Sequence, residues 1–265
     1  MKKFLISVLI AIRDFIDKDP GTILGTIFLI SVLMIIFLPM GERWYKGKRR
    51  RDTLRKAAES LSFAFSAESD FLLNNAAKKS GLWDYLSYSR SDLELLGIHR
   101  EKIRNVICNL NISHGEMKIF DFYYMGHNKS RVTAIRTCAL AEYDKDTNFP
   151  HFVLRPKDFI SRLNERLFGP RNADFAAYQD FSKKYILHCW DKGQKEEALR
   201  LFSPALIMAL ETKKDVHIFA NGRYAVYLSS DGGIKPAELA SFAEDAKTVL
   251  QMIYSNLRQH NLNSL

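Results

Sequence analysis

A chain of 265 residues, 47% hydrophobic and 26% charged, has the composition of a folded protein and excludes a disordered or fibrous one. The formal charge of +9 is local: residues 41–56 hold eight basic side chains against Glu42 and Asp52, a net +6, whereas residues 57–265 keep only +2. That distribution excludes a nucleic-acid-binding domain, whose basic residues would be spread over a folded face among aromatic stacking side chains.

Met1-Lys2-Lys3 followed by Phe4 to Ile12 imitates a secretory signal, but no small-x-small cleavage site follows. Nine residues, eight of them apolar, are too few to span a bilayer, so residues 1–19 read as a segment lying in the membrane interface, with Phe4–Ile16 as its helix. Pro20 to Gly41 is a run of twenty-two residues without a formal charge. A helix of that length covers roughly 30 Å, so residues 20–41 predict a single transmembrane helix. Gly21 and Gly25, four apart, offer a face for helix pairing and a homodimer.

Trp44 and Tyr45 suit an interfacial anchor, and residues 42–56 form a basic juxtamembrane linker. Within it, Lys46 to Arg51 is placed to meet anionic lipid headgroups at about 1 kcal/mol per residue. Retained positive charge marks the cytoplasmic side, which places the carboxyl-terminal domain in the cytoplasm. Cys108, Cys138 and Cys189, odd in number and widely spaced, agree with reduced thiols.

Two α+β subdomains are expected after the linker, at 57–169 and 170–265. The first opens with a helix from Asp52, a short alternating segment at Leu61–Phe65 and a helix from Glu68 to Lys79 stopped by Gly81. Leu82–Gly97 reads as a short helix or irregular connection. Ile103–Ile112, Glu116–Met125 and Arg131–Tyr143 follow as three strands of an antiparallel meander, with Phe120, Phe122 and Tyr124 on one face and Ile119, Asp121 and Tyr123 on the other. Phe149–Pro156 reads as an edge or boundary strand because of its two prolines, and Lys157–Leu167 as a helix.

The second subdomain carries a strand at Tyr185–Trp190, a helix at Glu196–Phe202 and another started by Ser203-Pro204. Asn221-Gly222 between Val216–Ala220 and Arg223–Ser229 is the strongest hairpin signal in the chain. The last helix, from Pro236 to Leu257, gathers Leu239, Phe242, Ala246, Val249, Leu250, Ile253 and Leu257 on one stripe. The fold class is therefore α+β behind a transmembrane helix.

No chemistry announces itself. Seven histidines are scattered singly without ligand spacing, and no nucleophile elbow, phosphate loop or dinucleotide fingerprint occurs, so no metal, cofactor or catalytic residue is expected. Asp121, between two phenylalanines of a strand, is the polar residue that stands out. A solvated strand face or a bond to a turn amide accounts for it most simply, and an enzyme would assemble its site from distant residues such as Asp121, Tyr123 and His151.

The run Phe120-Asp121-Phe122-Tyr123-Tyr124, then Thr137, then Phe149-Pro150-His151-Phe152-Val153-Leu154-Arg155-Pro156, resembles a pattern in an uncharacterised family of bacterial membrane-anchored proteins. In that family a strand like F-D-Y-x-Y precedes L-P-x-F-x-L-x-P. The similarity covers about residues 60–230, with Phe122 in place of the usual Tyr and Phe149 in place of the usual Leu. It implies a protein tethered to the inner membrane of a bacterium, with no assigned activity, and carries over no catalytic residue. The expected protein is a binding or regulatory module, or a subunit of a membrane assembly; the alternative is a membrane-tethered enzyme.

Overall fold

The computed structural model describes residues 23–82, 102–125, 133–157, 175, 177–190, 192–213, 215–228 and 232–263. Two compact units divide the chain, Met1–Asp52 and Thr53–Leu265. The expected interfacial segment 1–19, Gly21, the Leu82–Gly97 connection beyond Leu82 and the Lys157–Leu167 helix beyond Lys157 lie outside the described residues.

The transmembrane helix expected at 20–41 is not found. One helix, α1 (Ile23–Ser60), instead runs for 38 residues through the stretch read as a linker. Good helix formers among Arg, Lys, Glu and Ala after Gly41 carry the helix on, and Pro39, Gly41 and Gly47 do not end it. Apolar and strongly charged turns thus share one element. Among the described residues no helix is long and apolar enough to cross a membrane.

The second unit is built on one antiparallel sheet of eight strands: β1 (Ala64–Glu68), β2 (Lys102–Ile112), β3 (Gly115–Met125), β4 (Thr133–Tyr143), β5 (Phe149–Pro156), β6 (Tyr185–Cys189), β7 (His217–Gly222) and β8 (Tyr224–Leu228). Their spatial order is β1-β2-β3-β4-β8-β7-β5-β6. The meander β2-β3-β4 forms as the alternating pattern predicts. Strands from the stretches 57–169 and 170–265 interleave in this sheet, because β8 pairs with β4 and β5 lies between β7 and β6.

β5 is therefore an interior strand and not an edge. Its prolines are tolerated by position: Pro150 falls in the register shift between Phe149 and Phe152, and Pro156 ends the strand.

Helices cover both faces. On one, α2 (Phe71–Lys79) lays Leu73, Ala76 and Ala77 over Phe120, Phe122, Leu140 and Val226. Asp70 caps its start by accepting from the Leu73 amide at 2.7 Å, and Gly81 ends it at φ +81°. The other face carries α3 (Gln179–Lys184), α4 (Lys195–Arg200), α5 (Pro204–Glu211) and α6 (Leu239–Asn263). All seven residues of the predicted apolar stripe of α6 are buried there. Each of these side chains except Ala246 contributes about 1.5–3 kcal/mol by leaving water. Ser203 accepts from the Leu206 amide with Pro204 in the first turn of α5, as its sequence signals.

The Asn-Gly hairpin forms one residue later than its sequence suggests. Asn221 pairs with Tyr224, so the turn residues are Gly222 and Arg223, with Gly222 at φ +56°. Asn221 is thereby released to donate from Nδ2 to the Lys79 carbonyl at 2.8 Å, closing the last turn of α2 across the sheet.

Candidate functional site

β2 is irregular in two places, with register shifts against β3 between Arg104 and Ile107 and between Ile107 and Leu110. Asn105 and Asn109 occupy these bulges at φ +54° and +66°, a region that Asn tolerates better than most side chains. The first bulge puts Asn105 beside Asp121 of β3. Asn105 Nδ2 donates to Asp121 Oδ2 at 2.8 Å, and Thr137 Oγ1, directly across on β4, donates to Oδ1 at 2.9 Å. All three side chains are buried, with Asp121 only 1% exposed.

The expectation of a solvated Asp121 is thus corrected. The period-2 alternation put Asp121 on the same face as Ile119, and that face is covered. Ile234, in the segment leading into α6, donates its amide to Thr137 Oγ1 at 3.0 Å. Asp121, Asn105 and Thr137 therefore form a polar latch that ties the approach to α6 to the middle of the sheet.

Tyr123 lies at the latch's border. Its hydroxyl is 3.5 Å from Asn105 Nδ2, and the Arg104 guanidinium sits 5.7 Å from its ring centre. His151 is elsewhere. β5 is four strands from β3, roughly 19 Å at the usual strand spacing. There its ring stacks on Trp190 at 4.0 Å, and its amide donates to Gln194 Oε1 at 2.9 Å. The structure does not bring His151 to the Asp121 and Tyr123 pair.

Beside the latch, burial pushes the Cys138 thiol well above its ordinary range; nearby Asp121 adds to the shift and Arg136 opposes it. Such a thiol is inert as a nucleophile. Cys108, Cys138 and Cys189 are all free. Among the described residues no cluster of His, Cys, Asp or Glu is arranged to hold a metal ion. The depression under α2, lined by Leu72, Leu73, Ala76, Glu116, Lys118, Leu140 and Glu142, has a volume of about 10 Å³, room for a single water.

The remaining candidate is the charged part of α1. Lys46, Lys48 and Arg49 are exposed on the helix, with Arg50 and Arg51 half-buried and Tyr45 60% exposed. Lys46, Arg49 and Arg50 stand three and four apart, which aligns them along one side. Gly25 falls within α1, and its expected partner Gly21 lies outside the described residues.

Asn105 was missed by sequence reasoning, because a bulge that aims a side chain at a residue sixteen positions away leaves no local pattern. Thr137 did carry a signal, as the residue between Phe120–Tyr124 and Phe149–Pro156 in the motif.

No family model and no curated protein matches the chain. Among solved structures it is similar to the crystal structure of the mycobacterial trehalose monomycolate transport factor A, TtfA. The two share 14% sequence identity at a TM-score of 0.42, over 79% of this chain and 93% of that one.

Proposed function

We propose that the protein is a non-catalytic binding module, or a subunit of a larger assembly, that works against an anionic membrane surface met by residues 46–51. The observation that carries this reading is the exposure of Lys46, Lys48 and Arg49 on a continuous helix, in a stretch holding most of the chain's excess charge. Basic side chains on one helix attract acidic headgroups by about 1 kcal/mol each near the surface, and that attraction decays within about 8 Å at physiological salt. The eight-stranded sheet of the second unit then acts as a rigid scaffold. Asp121, the one acid that stood out in the sequence, holds that scaffold together through Asn105 and Thr137.

The test is flotation of the full chain with vesicles of phosphatidylcholine alone and with about 30% phosphatidylglycerol added, at low and high salt. Binding to the anionic vesicles alone, lost in high salt, is expected. Equal binding to both vesicle types, or indifference to salt, overturns the proposal.

A further inference from the structure

β1 is the terminal strand on its side of the sheet, and no described strand pairs with its outer edge. Such edges are normally blunted by Lys, Pro or a bulge. Ala64-Phe65-Ser66-Ala67-Glu68 has none of these, and its register with β2 is unbroken. Three residues past the strand, at the start of α2, Phe71 and Leu72 are 78% and 70% exposed, adjacent large apolar side chains in open solvent. A backbone edge that no described strand pairs with, next to an exposed apolar pair, suits another extended chain.

We propose that the outer edge of β1 pairs with β1 of a second copy, antiparallel about a two-fold axis at Ser66, joining two eight-stranded sheets. The sequence of the strand argues for a second copy over an unrelated strand, since it is complementary to itself about that axis. Ser66 meets Ser66, bulky Phe65 falls opposite small Ala67, and Glu68, the strand's single charge, falls opposite the Ala64 methyl instead of against another carboxylate. Ala64, Ser66 and Glu68 are exposed on one face of the strand, where Ser66 Oγ donates to the Glu68 carbonyl at 2.8 Å. Phe71 and Leu72 flank the seam at both ends by symmetry.

Sedimentation equilibrium of the full chain over about 1–100 µM tests the pairing, and a monomer–dimer equilibrium within that range is expected. Ser66→Lys sets two ammonium groups on the axis and weakens the dimer at least about tenfold, whereas Ser241→Lys, on the exposed side of α6, leaves it within about threefold. A second readout does not depend on affinity: with diamide as oxidant, Ser66→Cys forms an interchain disulfide faster than Ser241→Cys on the exposed side of α6. The proposal is overturned if the chain stays monomeric at the highest concentration, if Ser66→Lys leaves the dimer intact, or if Ser66→Cys cross-links no faster than Ser241→Cys.

Discussion

Thr137→Val keeps the shape of the side chain and removes the hydroxyl at the centre of the latch. The hydroxyl donates to Asp121 Oδ1 at 2.9 Å and accepts from the Ile234 amide at 3.0 Å, and the site is 3% exposed. A hydrogen bond to a charged group contributes about 1.5–3 kcal/mol, and withdrawing the acceptor from a buried amide costs about 1–3 kcal/mol. Allowing for the added buried methyl, the net loss is about 3 kcal/mol.

In a folded unit of this size that loss lowers Tm by about 6–12 °C, read from a far-ultraviolet circular dichroism melt. Thr137→Ser keeps the hydroxyl and loses a methyl, so its cost is nearer 1 kcal/mol. Hydrogen exchange localises the effect: the Ile234 amide exchanges at least about tenfold faster in the valine variant and as in the wild type in the serine variant. A valine variant that melts no lower than the serine variant, with Ile234 equally protected, would refute the latch.

Three further outcomes follow from the same geometry. A Cβ placed on Gly115 would clash with the Glu142 carbonyl oxygen, so Gly115→Ala forces β3 off β4 and costs about 1–3 kcal/mol by urea denaturation. Asn221→Ala removes the donor to the Lys79 carbonyl and costs about 1 kcal/mol, with hydrogen exchange showing the loosening confined to the last turn of α2. Burial raises the ionisations of Cys138, Tyr143 and Tyr227 and pushes Tyr185 up to about 12. Each folded-state pKa lies above its unfolded value, so the folded chain keeps protons the unfolded chain releases. Stability is then full below about pH 9 and falls as the pH rises from there toward 12. Urea midpoints measured across that range fall steadily, and Tyr185→Phe flattens the part above about pH 10.

The legible parts of the fold were those in which neighbouring residues decide the outcome. Alternation through Phe120, Phe122, Ile119 and Asp121 marked the two faces of β3, Ser203-Pro204 marked the start of α5, and the Leu239–Leu257 stripe marked the buried side of α6. What distant segments decide was not legible. Pro150 and Pro156 suggested an edge, but β6 and β7 flank β5 from more than twenty residues away. Asn221 looked like a turn residue until α2 supplied the Lys79 carbonyl for it to bond. Asp121 was singled out by its composition alone, and its burial depends on a bulge at Asn105 that no local pattern announces. At α1, the uncharged run before residue 42 suggested an element that ends there, whereas backbone propensity carried the helix through the charged residues to Ser60.

The measurement that bears most directly on the membrane-surface reading is the affinity of the full chain for anionic vesicles before and after Lys46→Gln, Lys48→Gln and Arg49→Gln are combined. At about 1 kcal/mol per charge, the triple variant binds about 100-fold more weakly while its melting is unchanged. Unchanged affinity in that variant would contradict the account.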